Sequence, residues 1–220
     1  MEDVAAKAMN EIQDYVKGAG IDIEILVDNS GSMKQENRQY QAMEVAKLAA
    51  KVGALVDEDG GVGLTFFSDF DPRGNSLSWE DVVLDQIEEK FKGVTPDGST
   101  DTLKFIEGEV KQHYERKATK PDQRTLIVCI TDGEPNGGTA PLKAYLTELQ
   151  AKLDWSGKLP EIKVLFIQVG TAEEAKAALK DLDDDNDKCG LIVEVAYTGK
   201  DGRPMEQIFF DALREHYIAN

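Results

Sequence analysis

Short apolar runs alternate with longer stretches of helical period along most of this chain. The runs Ile21 to Val27, Val62 to Phe67, Arg124 to Thr131, Ile162 to Val169 and Leu191 to Val195 predict strands. Between them the apolar positions recur at three and four residues, as on the buried side of an amphipathic helix. An alanine-rich helix is expected over 35–54, with Met43, Ala46, Ala50 and Ala54 towards the sheet. Others are expected over 79–91 with Val82, Val83 and Ile87 inward, around Leu103, Ile106 and Val110, from Pro141 to Leu153 with Thr139 as a cap, and over 172–182. A last helix over 205–217 would bury Ile208, Phe209, Ala212 and Leu213. Ahead of the first strand, Val4, Ala8, Ile12 and Val16 predict an additional helix over 1–18, ended by Gly18-Ala19-Gly20. Ser76 to Trp79 is the one candidate for a short antiparallel edge strand. Strands alternating with helices imply an α/β fold: a three-layer, doubly wound domain with a mainly parallel central sheet of about six strands.

Oxygen donors gather where these strands end. Ile21 to Val27 runs directly into Asp28-Asn29-Ser30-Gly31-Ser32, and Arg124 to Thr131 runs into Asp132-Gly133-Glu134-Pro135. A third segment, Asp97-Gly98-Ser99-Thr100, is a turn that introduces a helix. Carboxyl ends of strands are where open α/β sheets bind ligands. Asp28 brings a carboxylate and Ser30 and Ser32 bring hydroxyls, a hard mixed set suited to Mg²⁺ rather than to zinc. Capping of the next helix by Asp28 and Ser30 would explain those two residues, but would not call for the other two segments.

Together, the strand-Asp-x-Ser-x-Ser, the Gly-Ser-Thr turn and the strand-Thr-Asp-Gly motif resemble the von Willebrand factor A (integrin I-like) family and its metal-ion-dependent adhesion site. The resemblance covers residues 21–217 and implies a Rossmann-like fold over that core, within a single domain of 1–220. It implies that Asp28, Ser30, Ser32, Thr100 and Asp132 form the shell of a Mg²⁺ ion, with Mn²⁺ or Ca²⁺ as alternatives. It further implies that a protein partner completes the coordination with a Glu or Asp carboxylate. Loops 69–78 and 133–139 would flank the cation, with Asp69, Asp71, Glu134 and Asn136 as partner-binding candidates. Relatives inside cells often act as adaptors in multiprotein assemblies, frequently alongside AAA+ ATPases. In related domains that relay ligand state, the last helix slides on engagement.

Charge narrows the partners. Lys and Arg number 25 against 42 Asp and Glu, a formal charge of −17 over 220 residues. Such a chain repels phosphate backbones and anionic bilayers, which argues against nucleic acid and membrane as partners. The amino-terminal residues are too polar for a signal peptide, and no apolar run reaches the roughly 18 residues of a membrane span. The expected compartment is therefore the cytoplasm. An adhesion module excised from a longer extracellular protein is the alternative. Cys129 sits in a core-like strand and reads as a small apolar residue, and Cys189 follows an acidic loop.

Enzymatic readings lack their parts. His113 and His216 each fall within an expected helix, away from any recognisable nucleophile motif. A haloacid-dehalogenase phosphatase needs a second aspartate two residues after the first, where Ser30 stands. No glycine-rich phosphate loop follows a strand. A metal-dependent hydrolase or phosphatase remains the rival class, with Glu134 as the one nearby base. Asp69 to Glu80 has some EF-hand spacing, but Arg73 stands where a ligand oxygen belongs. The expectation is a binding domain rather than an enzyme.

Overall fold

Parallel strands covered on both faces must be apolar almost throughout, and the two strands that carry the aspartates meet that demand. In a computed structural model, which describes residues 20–198 apart from 36, 57–59, 69–76, 134, 154–159, 184–188 and 191, both are buried nearly end to end. The amino-terminal and last helices, with Asp69, Asp71 and Glu134, lie outside the described residues. The element order is β1 (Ile21–Asp28), a 3-10 turn (Gly31–Lys34), α1 (Arg38–Val56), β2 (Val62–Phe67), β3 (Leu77–Val82), α2 (Leu84–Lys92), α3 (Thr102–Lys117), β4 (Arg124–Thr131), α4 (Ala140–Lys152), β5 (Ile162–Gln168), α5 (Glu173–Asp183) and β6 (Val193–Tyr197).

The six strands lie in the order β3-β2-β1-β4-β5-β6. All neighbours are parallel except β2 and β3. Because β1 leads outward to β2 on one side while β4 lies on the other, the strand order reverses between β1 and β4. Their carboxyl ends therefore border the crevice in which doubly wound sheets bind ligands. Alternate side chains feed two cores. Ile21, Ile23, Ile25 and Val27 face α1 and α2, while Leu26, Ile127, Cys129 and Phe166 face α3, α4 and α5. Cys129 and Cys189 are buried free thiols.

The face of α1 against the sheet includes Ala46 and Ala50 as expected, with Met43 packed against the same core, and differs from expectation at Ala54. Ala42, Ala46, Ala49 and Gly53 are buried there with Val45 and Val52, whereas Ala54 is exposed and Met43 only half-buried. The helical period runs from Ala42, and its small residues let the backbone approach the strands. At Gly53 a Cβ would stand 2.5 Å from Val62 Cγ1.

The edge also differs. Residues 79–82, expected to begin a helix, instead extend β3, and α2 starts at Leu84. Val62 pairs with Val82 and Leu64 with Trp79, so Glu80 and Asp81 together oppose Gly63 in a bulge, with Asp81 at φ 53°. The bulge breaks the period-two pattern that marks a strand. Val83 alone separates strand from helix and points to solvent. Trp79 packs edge-on to Phe66, with ring centroids 6.1 Å apart, and Phe91 of α2 contacts the same ring at 4.7 Å.

Burial has a cost at the amino-terminal ends of the strands. Glu24 of β1 is buried, with Oε1 2.7 Å from Arg116 Nη1 of α3. Burial pushes its carboxyl up to about 8, the charge of Glu109 adds to the rise, and Arg116 opposes it. Burial likewise raises Glu109 to about 7. A carboxyl that holds its proton more tightly folded than unfolded contributes stability that is full below its unfolded value of 4.5 and is lost as pH rises through about 8. Urea denaturation should accordingly show stability falling from about pH 5 to about pH 8.5, with a shallower slope in Glu24→Gln. An unchanged slope in that variant would refute the assignment. By the same assay Gly53→Ala is expected to cost about 1–3 kcal/mol through overpacking against Val62.

Candidate metal centre

Three segments are tied together by their own backbones before any side chain acts. Asn29 N donates to Phe67 O at 2.8 Å, Asp97 N to Asn29 O at 2.7 Å and Gly31 N to Gly98 O at 3.2 Å. Asn136 N donates to Thr100 O at 2.9 Å. The loop after β1, the turn before α3 and the loop after β4 thus form one unit above the crevice.

The five residues expected as ligands converge on that unit. Asp28, Ser30, Thr100 and Asp132 are buried and Ser32 is half-buried. Ser30 Oγ and Ser32 Oγ are 2.9 Å apart. The Ser32 hydroxyl donates to Asp132 Oδ1 at 2.9 Å, and the Thr100 hydroxyl to Asp28 Oδ2 at 3.3 Å. Ser30 occupies the N-cap of the 3-10 turn, but its side chain makes no capping bond. Helix capping therefore does not account for its hydroxyl.

Asp28 is held from two sides. Ser30 N donates to Oδ1 at 2.8 Å and the Thr131 hydroxyl to Oδ2 at 2.7 Å. Burial pushes the Asp28 carboxyl up, these hydrogen bonds oppose the rise, and the charge of Asp132 adds to it. Two carboxylates so placed call for positive charge between or beside them.

The donor set fits a hard divalent cation. Ligands about 2.1 Å from Mg²⁺ at right angles stand about 3.0 Å from one another, close to the oxygen separations here. The five candidate residues offer two carboxylates and three hydroxyls, and among the described residues there is no group of three or more His, Cys, Asp or Glu that could hold a metal ion. That chemistry suits Mg²⁺ or Mn²⁺ better than thiophilic metals.

Two residues at this site carry no role in the sequence reading. Thr131 ends β4 and anchors Asp28. A strand-terminal threonine next to an aspartate is the only signal for it. Arg38 opens α1 and ion-pairs through Nη1 with Asp132 Oδ2, with a longer contact of 3.4 Å to Ser32 O. Its place near the start of the helix expected over 35–54, six residues past Ser32, gives no signal of this contact.

Of the partner-binding candidates, Asn136 lies exposed on the turn beside Thr100, with Nδ2 donating to Ser99 Oγ at 2.7 Å. His113 is far from this chemistry. It is buried in α3, more deeply than a surface or core-edge residue, and Nδ1 lies 2.9 Å from the Thr125 hydroxyl at the opposite end of β4. Burial lowers its pKa to about 4, consistent with a neutral, structural imidazole. No helix among the described residues is long and apolar enough to cross a membrane.

The von Willebrand factor type A domain profile matches residues 22–209. No curated protein sequence matches the chain. Among solved structures, the manganese-loaded TRAP protein of Plasmodium vivax is similar with a TM-score of 0.56 at 15% identity, over 84% of this chain and 71% of that one. The VWA domain of SpRpn10 is similar with a TM-score of 0.54 at 15% identity, over 89% of this chain and 94% of that one. At such identity the likeness concerns the fold. Domains of this kind commonly serve as protein-interaction or adhesion modules and often bind a divalent metal. With the profile matched over most of its length and the expected mainly parallel six-strand sheet in place, this chain belongs to the von Willebrand factor type A domain family.

Proposed function

We propose that the domain binds a partner protein through a divalent cation, Mg²⁺ or Mn²⁺, held by Asp28, Ser30, Ser32, Thr100 and Asp132. The observation that carries this reading is the convergence of five hard oxygen donors, from three segments, at separations of 2.9, 2.9 and 3.3 Å above the β1/β4 crevice. When bound, the cation supplies a coordination position for a carboxylate from outside. The protein's part is to present its donors without closing the shell. Asp28 is fixed by Ser30 N and Thr131, and Ser32 is the least buried of the five.

Electrostatics explains why a cation is needed. The chain carries a formal charge of −17 and the site itself two carboxylates, so an incoming Glu or Asp is repelled unless positive charge is added there. Asn136, exposed on the turn beside Thr100, would touch such a partner, and Asp69, Asp71 and Glu134 belong to the loops expected to flank it. A member of a multiprotein assembly is the class of partner in best accord with an adaptor role. Metal-dependent hydrolysis has less support, because His113 is buried against Thr125 and no His or Cys among the described residues joins the five donors.

Isothermal titration of Mg²⁺ and of Mn²⁺ into metal-stripped protein is expected to show one site in the wild type. Asp132→Ala and Ser32→Ala should weaken or abolish it while circular dichroism stays unchanged. Wild-type-like binding by both folded variants would overturn the assignment. Thr131→Val should retain the site with reduced affinity and lower the stability of the metal-free protein by about 1–3 kcal/mol, since Asp28 Oδ2 loses a buried donor.

A further inference from the structure

Arg38 is placed against the candidate centre in a built position. It projects from the first turn of α1, and its Nη1 ion-pairs with Asp132 Oδ2 and lies 3.4 Å from Ser32 O. The arginine side chain is 11% exposed and that of Asp132 fully buried, so water screens the pair little. Its stem runs along the loop after β5. At Gly170, where φ is +78°, a Cβ would stand 2.8 Å from Arg38 Nε and 3.3 Å from Cδ. Gly170 N in turn donates to Gln41 Oε1 of α1 at 2.9 Å, holding this loop against the helix. A glycine-made slot and a tether between loop and helix mark the arginine as part of the site.

We propose that Arg38 is a resident cation that weakens the hold of the centre on metal and gives the loaded centre the net positive charge that receives one carboxylate. This rests on the metal reading above and deepens it. With Asp28 and Asp132 ionised, a divalent cation alone would leave the centre neutral. Arg38 adds one positive charge, so the loaded centre is positive by one and a single Glu or Asp side chain restores balance. Metal and carboxylate should therefore bind cooperatively, each tightening the other. In the metal-free protein the same guanidinium offsets two buried carboxylates that would otherwise repel.

The test is calorimetric titration of Mn²⁺ into metal-stripped wild type, Arg38→Met and Arg38→Lys, with and without acetate as the carboxylate probe. Arg38→Met is expected to bind Mn²⁺ about tenfold more tightly, the scale of one nearby charge in a partly buried site. Acetate should tighten Mn²⁺ in the wild type and have less effect in Arg38→Met. Arg38→Lys keeps the charge and should lie closer to the wild type than Arg38→Met does. Equal or weaker Mn²⁺ binding by folded Arg38→Met would overturn the proposal and leave the metal reading intact. Absence of binding in all three proteins would overturn both. If Arg38→Met fails to fold, the wild type alone decides. The Arg38 Nε–H resonance should shift as Mg²⁺ saturates the site, and an unmoved resonance at saturation would count against the proposal.

Discussion

The parallel pairing of β1 with β4 is the constraint from which the rest of this molecule follows. Seven residue pairs from Ile21↔Arg124 to Val27↔Ile130 bring two apolar strands side by side, so that Asp28 emerges beside Thr131, one residue before Asp132. The chain then turns outward on each side, which opens a crevice at that level with no strand crossing it. Helices α1 and α3 enter from opposite faces. Their preceding loops are bonded to each other through Asp97, Asn29, Gly31 and Gly98, so the hydroxyls of Ser30, Ser32 and Thr100 are delivered to one place.

This geometry concentrates negative charge in a chain that already has an excess of it. Acidic groups lie in the first half of β1 and around its carboxyl end, and each set is met by an arginine from a neighbouring helix. At one end Glu24 and Asp22 face Arg116 of α3. At the other Asp132, next to Asp28, faces Arg38 of α1. The consequences differ because the surroundings differ. At Glu24, burial and the nearby Glu109 outweigh Arg116 and favour the protonated carboxyl. Asp28 and Asp132 lie among hydroxyls that suit a hard cation, in a crevice open to a partner.

Much of the fold was legible because its physics is local. Strands buried on both faces must be continuously apolar, so β1, β2, β4 and β5 stand out, and their order with the helices implies the mainly parallel sheet. Where a second influence entered, the reading faltered. The bulge at Asp81 disguised β3, since the extra residue shifts the alternation of Trp79 and Val82 by one position. Near the end of α1 the expected Ala54 is exposed and Gly53 is buried instead, since alanines are compatible with either core or solvent and Gly53 is the residue that approaches Val62.

The amino-acid order alone determined which groups could do the chemistry: an aspartate after each of two apolar strands, with hydroxyls at Ser30, Ser32 and Thr100. A run of sequence can show that such donors follow strands, because strand periodicity and turn composition are properties of neighbouring residues. It cannot show distances across the fold. That Ser32 reaches Asp132, that Thr131 anchors Asp28, and that Arg38 closes on the same carboxylate were decided by tertiary structure, because each contact joins residues about a hundred positions apart through the register of one strand pair.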